Sequence, residues 1–115
     1  MPIRIVTAPV SLDELRGMAA ELFGDFVKAV VDVRRGVMAI GGELHADEEA
    51  LLLEDGARQA DLWGINLYPG RAPVELIEFD SMINVRPSQS NRSRGVDDPS
   101  VRRQIEDLVG RLVAP

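Results

Sequence analysis

Two runs rich in β-branched residues, Phe26–Val33 and Val37–Ile40, flank the short segment Arg34-Arg35-Gly36. A glycine-containing connection of this length between two such runs is typical of a β-hairpin, because it reverses the chain within a few residues. Strands that are joined by a hairpin pair antiparallel. The sequence therefore predicts an antiparallel sheet rather than the parallel sheet of a doubly wound fold.

Strand-like and helix-like segments alternate around this hairpin. Residues 3–7 form a short β-rich run, and a second pair of strands is predicted in the segments DLWGINLY and VELIEFDSMINV. Helices are predicted after a capping box that begins at Ser11, in the acidic stretch behind His45, and after Asp98. The order βαββαββα predicts a single α+β domain over residues 1–115, with a largely antiparallel five-stranded sheet and three helices packed on one face.

The last predicted strand alternates between two sets of side chains. One set is Ile77, Phe79, Ser81, Ile83 and Val85, and the other is Glu78, Asp80, Met82, Asn84 and Arg86. Because successive side chains of a strand point to opposite faces, we expect one set to face the core and the other to face water or a ligand.

The composition narrows the classes of function. The chain has no cysteine, which excludes a disulfide framework, a thiolate nucleophile and a cysteine zinc site. A net charge of −6 argues against a duplex nucleic acid partner, because such binding depends on many Lys and Arg side chains that neutralise phosphates. The N-terminus lacks the apolar run of a signal peptide, and no stretch approaches the about 20 apolar residues of a membrane span. We therefore expect a cytoplasmic location without membrane attachment.

The stretch GGELHADEEALLLEDG contains the only histidine of the chain, His45, followed by Asp47, Glu48 and Glu49. Acidic side chains are stabilised at a helix N-terminus whatever the function, with Asp47 as the predicted N-cap. If the helix begins earlier, His45, Glu48 and Glu49 share one face at positions i, i+3 and i+4. That face suits an acid/base group whose pKa its acidic neighbours raise, and it also suits zinc, manganese or iron. Helix capping, a histidine-centred site and a metal site all remain open.

The segment RPSQSNRSR, residues 86–94, carries Arg86, Arg92 and Arg94 and no acidic residue. Guanidinium groups beside Ser and Asn donors suit a phosphate or a carboxylate. The alternative is a solvated loop whose arginines pair with the acidic side chains of the protein itself. The segment is long for a connection between a strand and a helix, which favours a functional role.

The strings VKAVVDV, MAIGGELHADEEALLLEDG, LWGINLYP and FDSMINVRPSQSNRSR together resemble a small family of uncharacterised bacterial proteins, a domain of unknown function of about this length. The resemblance covers roughly residues 3–112. It implies a bacterial protein that consists of one domain. It implies no activity and no catalytic residue.

We predict a polar pocket where the helix start at His45 meets the basic loop, and we predict that it binds a small anionic ligand bearing a phosphate or a carboxylate. The predicted site residues are His45, Glu48 and Glu49 as the acid/base group and its partners, and Asn91, Arg92 and Arg94 as anion contacts. No cofactor or metal is assigned, and whether a reaction occurs in the pocket stays open. The alternative is a non-catalytic interaction module that forms a homo-oligomer through an exposed strand face or edge. His45 and Arg92 in one concavity favour the pocket, whereas opposite locations favour the module.

Overall fold

The computed structural model describes residues 2–115. It contains a five-stranded antiparallel sheet and three α-helices, which confirms the predicted α+β class and the predicted order of these elements. The helices are α1 (Leu12–Leu22), α2 (His45–Glu54) and α3 (Pro99–Leu112). The strands are β1 (Arg4–Val6), β2 (Val10–Ser11), β3 (Val27–Asp32), β4 (Val37–Ile40), β5 (Leu62–Leu67), β6 (Ile77–Glu78) and β7 (Val113–Ala114). Strands β2 and β7 stand apart from the sheet and pair with each other in parallel.

The sheet is built around β3, which pairs with β4 on one side and with β5 on the other. The strand order is β1-β4-β3-β5-β6, and each pair of neighbours is antiparallel. In the register of β3 with β5, Lys28 lies opposite Asn66. Their side chains therefore leave the sheet side by side on the same face.

The β3–β4 hairpin is present as predicted, and Asp32 determines its turn. The buried Asp32 carboxylate accepts hydrogen bonds from the backbone N–H groups of Arg34 and Arg35 at 3.1 and 3.0 Å. It also accepts a hydrogen bond from the Arg35 guanidinium at 2.7 Å. Gly36 completes the turn with a φ of +71°, a left-handed conformation that glycine adopts without a steric cost.

The helices divide between the two faces of the sheet. On the first face, α1 and α3 pack on side chains of the central strands that include Ala29, Val31 and Ile65. On the second face, Leu52 of α2 packs on an apolar cluster that includes Val30. The expectation that all three helices pack on one face is therefore wrong. The central strands are apolar on both sides, so each side requires a cover that excludes water.

The strand predicted in the segment VELIEFDSMINV, residues 74–85, is wrong outside Ile77–Glu78. Only Ile77–Glu78 pair with β5. The chain then leaves the sheet edge as a crossing segment, residues 79–85, which passes over the second face and contains a 3₁₀ turn at Met82–Asn84. A Cβ atom on Gly64 would lie only 2.5 Å from the Cβ of Ser81 in this segment. The glycine is therefore what allows the segment to cross β5.

The side chain of Asn84 makes hydrogen bonds to β5 that the backbone of the predicted strand was expected to make. Its side chain accepts a hydrogen bond from the backbone N–H of Gly64 at 2.8 Å and donates one to the backbone carbonyl of Gly64 at 2.9 Å. It also donates to the carbonyl of Arg94 at 2.9 Å. A single buried amide thus satisfies backbone groups of β5 that a neighbouring strand would otherwise pair.

Two helix starts are confirmed. Ser11 and Glu14 form the predicted capping box of α1, in which the N–H of Glu14 donates to Ser11 Oγ at 3.0 Å. Asp98 caps α3 and accepts a hydrogen bond from the N–H of Ser100 at 2.8 Å. In the part of the chain that the structure describes, no helix combines the length and the apolar character that crossing a bilayer requires.

Candidate functional site

A cavity of about 570 Å³ opens on the second face of the sheet, beside the first turn of α2. Its apolar walls include Phe26, Leu44 and Met82. Its polar side chains are Lys28, His45, Asn66, Tyr68, Glu78, Asp80, Ser81 and Arg94. A concave surface that combines apolar walls with a few convergent polar groups is the usual form of a small-ligand site.

His45 is the first residue of α2, and its ring is buried against β5. The Nε2 atom lies 2.8 Å from the carbonyl oxygen of Ile65. A carbonyl oxygen only accepts hydrogen bonds, so Nε2 carries a proton and donates it. In the neutral ring Nδ1 is then unprotonated, and within residues 2–115 it has no hydrogen bond of its own. His45 therefore brings an available lone pair to the wall of the cavity.

Burial lowers the pKa of His45 below its ordinary value, because water no longer solvates the imidazolium form. The Ile65 carbonyl opposes this effect, and the positive charge of Lys28 reinforces it. Asp80 and Asn66 favour the protonated form more weakly. The prediction that acidic neighbours raise this pKa is therefore wrong, since desolvation outweighs them, and the ring is neutral at neutral pH.

The predicted N-cap at Asp47 is also wrong. Helix α2 begins at His45, and its N-cap, Leu44, makes no side-chain hydrogen bond. The exposed Asp47 lies in the first turn, where the partial positive charge of the helix end favours it. The earlier start places His45, Glu48 and Glu49 at the spacing of the alternative interpretation, although their side chains do not converge on the cavity.

Glu48 is fully buried outside the cavity. Its Oε2 accepts a hydrogen bond from the backbone N–H of Gly42 at 3.0 Å. A Cβ atom on Gly42 would lie 2.8 Å from Glu48 Cγ, so this glycine makes room for the carboxyl group. Burial raises the pKa of Glu48 to about 9, against the hydrogen bond from Gly42. The group is therefore a neutral acid at neutral pH and not a charged partner of His45.

Asn66, Tyr68 and Glu78 form a hydrogen-bonded group in the cavity wall. Asn66 Nδ2 donates to Glu78 Oε1 at 2.9 Å and to the Asp80 carbonyl at 3.4 Å. The Tyr68 hydroxyl donates to the same Glu78 oxygen at 3.1 Å. Burial, reinforced by Glu78, raises the pKa of Tyr68, so the hydroxyl keeps its proton and remains a donor. The Glu78 carboxylate is thereby held in place by two neutral donors.

The two cations of the cavity have different partners. Arg94 Nε donates to Asp80 Oδ1 at 2.6 Å in an ion pair that solvent reaches. Lys28 is half-buried and makes no ion pair within residues 2–115. Its ammonium lies 5.1 Å from the centre of the Phe23 ring. Lys28 is therefore a positive charge without a carboxylate at contact distance.

The three arginines of the basic loop lie in different environments. Arg86 is half-buried, donates to the backbone carbonyls of Gln59 and Leu62, and lies 4.2 Å above the ring of Trp63, which is a core residue. Arg92 is exposed and does not line the cavity. Arg94 reaches the cavity and pairs with an acidic side chain of the protein.

Asn91 holds the basic loop in shape. Its side chain is buried, and all of its hydrogen bonds go to backbone groups, the carbonyls of Asn84, Ser93 and Gly95 and the N–H of Asp97. Its own backbone forms a bridge with Arg86. Asn91 therefore positions the segment that carries Arg94 and does not itself face the cavity.

The cavity brings together two of the six predicted site residues, His45 and Arg94. The other four, Glu48, Glu49, Asn91 and Arg92, are not among its lining residues. Lys28 and Asn66 are among the polar lining residues that were not assigned to the site. Each is a polar residue inside an otherwise apolar strand, in the strings VKAVV and WGINL, and this is the sequence signal that points to them.

The acidic stretch does not provide a set of metal ligands. Within residues 2–115, no three or more His, Cys, Asp or Glu side chains are grouped so that they could hold a metal ion. His45 already uses Nε2 as a donor to Ile65, and Glu48 lies outside the cavity as a neutral acid. The interpretation of this stretch as a metal site therefore has no support from the arrangement of these residues.

The chain belongs to the family described as protein of unknown function (DUF5674), whose model matches residues 4–112. This match spans nearly all of the 115 residues and confirms the resemblance to a domain of unknown function. No curated protein and no solved structure matches the chain. The description of the family states no activity.

Proposed function

We propose that the cavity beside α2 binds a small anionic ligand, with Lys28 and Arg94 as the anion contacts and His45 as a neutral acceptor or base. The observation that carries this proposal is the half-buried residue Lys28, whose ammonium has no ion-pair partner in the described part of the chain. A cation that has lost part of its hydration gains most from an anion that approaches it in the cavity.

The acidic side chains of the cavity do not cancel this preference. The Glu78 carboxylate accepts hydrogen bonds from Asn66 and Tyr68, and Asp80 is paired with Arg94. Arg94 uses Nε in that pair, which leaves other guanidinium N–H groups for a ligand. Lys28 is then the charged side chain that lacks an ion-pair partner. A phosphate or a carboxylate of the ligand is such a partner.

His45 acts on the ligand through Nδ1. Because Nε2 is fixed as a donor by Ile65, the neutral ring presents one tautomer to the cavity. Its lone pair accepts a hydrogen bond from the ligand and, for a ligand with an acidic proton in reach, accepts that proton.

The test is a titration of the purified protein with ethyl phosphate and with acetate, followed by calorimetry and by the NMR signals of the single imidazole. We expect Lys28→Met to abolish binding and Arg94→Ala to weaken it about tenfold, the usual scale for losing one charged hydrogen bond. Arg92→Ala is the matched control, because Arg92 is an exposed arginine two positions away that does not line the cavity. Equal effects of the two arginine variants, or binding that survives Lys28→Met, would contradict the proposal.

The second candidate function is a self-associating interaction module. The observation that favours it is the exposure of two large apolar side chains at the cavity, Leu44 at 56% and Met82 at 65%. Exposed apolar side chains that adjoin one another mark many interaction surfaces. Sedimentation of the wild type and of Leu44→Ser with Met82→Ser distinguishes the two functions. A dimer that the double variant dissociates favours the module, and a monomer in both cases excludes it.

A further inference from the structure

The orientation of the Asn66 amide is fixed by its neighbours. Its Nδ2 faces the Glu78 carboxylate and the backbone carbonyl of Asp80, both of which only accept hydrogen bonds. Reversing the amide would bring Oδ1 against these two oxygens. The Oδ1 atom therefore points away from them as a hydrogen-bond acceptor.

This acceptor has no partner. Asn66 is 7% exposed, and its Oδ1 makes no hydrogen bond with any part of the chain that the structure describes. Buried polar atoms in native proteins are nearly always paired with the protein or with an ordered water, so an unpaired acceptor in a cavity wall is a position at which a bound molecule gains a hydrogen bond. The group that pairs with a carbonyl oxygen has to be a donor, an O–H or an N–H.

A second acceptor lies beside the first. Neutral His45 presents the lone pair of Nδ1, and its ring is close enough to Asn66 for the amide to favour the protonated form of the imidazole. In the neutral ring both Nδ1 and the Asn66 oxygen are acceptors, so neither atom satisfies the other. This corner of the cavity therefore requires hydrogen-bond donors, whereas Lys28 and Arg94 require an anion.

We infer that the ligand carries a hydrogen-bond donor, a hydroxyl or an ammonium, within a few bonds of its anionic group. This inference rests on the proposed anion-binding function and extends it to the class of ligand. Lys28 and Asn66 are directly opposed in the register of β3 and β5, which places their Cβ atoms about 5 Å apart. The contacts for the anion and for the donor are therefore adjacent, and an anion that carries no O–H or N–H would leave the Asn66 oxygen unpaired.

Three phosphate esters of matched length provide the test: ethyl phosphate, 2-hydroxyethyl phosphate and 2-aminoethyl phosphate. All three carry the same anionic group, and only the second and third carry a donor on the adjacent carbon. We expect at least one of these two to bind the wild type about tenfold more tightly than ethyl phosphate, the scale expected when a buried acceptor gains its partner. The identity of the tighter ligand then distinguishes a hydroxyl from an ammonium.

Two variants show whether Asn66 is the cause of this selectivity. In Asn66→Ala the ratio between the affinity for the tighter donor-bearing ester and the affinity for ethyl phosphate should fall to about one. In Tyr68→Phe, which removes the other hydrogen bond to the same Glu78 oxygen and leaves the Asn66 carbonyl in place, the ratio should persist. Loss of the ratio in both variants would assign the effect to Glu78 and overturn the inference.

The outcomes for the wild type separate the inference from the function on which it rests. If the three esters bind equally, the inference is wrong and the anion-binding function stands. If none of the three esters binds, both the inference and the proposed anion-binding function are wrong. The wild-type ratio needs no variant, so the inference stays testable even if Asn66→Ala does not fold.

Discussion

The two faces of the sheet are formed by the same strands but are covered by different kinds of side chain. The first face, under α1 and α3, is covered by apolar side chains such as Leu15, Ile105 and Leu108. The second face, under α2 and the crossing segment, combines a small apolar cluster with buried polar residues. These polar residues include Asp32, His45, Glu48, Asn66, Ser81, Asn84 and Asn91.

Because of this difference, the two faces are expected to tolerate substitutions differently. Apolar burial stabilises the first face without directional requirements, so many apolar side chains of similar size would serve there. On the second face each buried polar group needs a particular partner, and the unpaired Oδ1 of Asn66 lies in the wall of the cavity. A substitution on the second face is therefore expected to act through one defined contact.

The largest effect is expected at Gly64, where the crossing segment passes closest to β5. In Gly64→Val the new side chain overlaps Ser81, and the crossing segment has to move away together with the hydrogen bonds of Asn84. We expect a loss of about 3 kcal/mol in the free energy of unfolding, at the upper end for overpacking. Urea denaturation measures it.

Gly110 of α3 provides the matched control for this substitution. A Cβ atom added to Gly110 meets nothing within 4 Å, and alanine favours a helix more than glycine does. Gly110→Ala should therefore stabilise the protein by about 0.5 to 1 kcal/mol. Equal losses for Gly64→Val and Gly110→Ala would show that the crossing at Gly64 is not a specific requirement.

The next effect concerns the buried carboxyl group of Glu48 and its dependence on pH. The folded protein keeps a proton on Glu48 up to a pKa of about 9, whereas the unfolded chain releases it near the ordinary value. Between these two values the folded state binds more protons, so the contribution of Glu48 to stability falls as the pH rises. We expect Glu48→Gln to be more stable than the wild type by about 2 kcal/mol at pH 7. Each pH unit above the ordinary glutamate pKa costs the wild type about 1.4 kcal/mol, and a glutamine amide without a partner at the position of Glu48 Oε1 offsets part of this gain.

The same pair of proteins at low pH is the control. Below the ordinary glutamate pKa both states of the wild type are protonated, and the advantage of Glu48→Gln should disappear. Chemical denaturation from pH 4 to pH 8 measures the difference. A wild type and a variant whose stabilities run parallel over this range would show that Glu48 is ionised in the folded protein.

The smallest effect compares two acidic residues at helix starts on opposite faces. Asp98 caps α3 through a hydrogen bond to the backbone, so Asp98→Ala should cost about 1 kcal/mol. Asp47 makes no such bond in α2, and Asp47→Ala should cost only about 0.3 to 0.5 kcal/mol through the helix dipole. Thermal denaturation measures both losses of stability. A larger loss for Asp47→Ala than for Asp98→Ala would indicate that Asp47 is the N-cap of α2.

The elements that the sequence predicts correctly are those with a local signal. The capping residues Ser11 and Asp98, and the turn between Asp32 and Gly36, depend on contacts within a few residues of the chain. The antiparallel order follows from the hairpin. Such features are visible in a sequence because the interacting groups are neighbours along it.

The features that the sequence does not reveal depend on distant residues. The alternation over residues 77–85 fits a strand, but Gly64 and Asn84 make a crossing segment possible by a contact across 20 residues. The environment of His45 depends in the same way on Ile65 and not on the adjacent carboxylates. Lys28 and Asn66 each interrupt an apolar strand in the sequence, but their position opposite one another becomes visible only when the register of β3 and β5 is known.

The protonation state of His45 shows whether the ring presents an unprotonated Nδ1 to the cavity. A charged ring, or a neutral ring with the proton on Nδ1, presents no such acceptor. Because the chain has one histidine, its imidazole nitrogen signals are resolved in an NMR titration without assignment of other rings. We expect a pKa below the ordinary histidine value of about 6.5, and a neutral form with the proton on Nε2 and a free Nδ1. Addition of 2-hydroxyethyl phosphate should then shift the Nδ1 signal. A raised pKa, or a neutral ring protonated on Nδ1, would contradict the arrangement of His45 and Ile65 on which the proposed role of His45 as an acceptor rests.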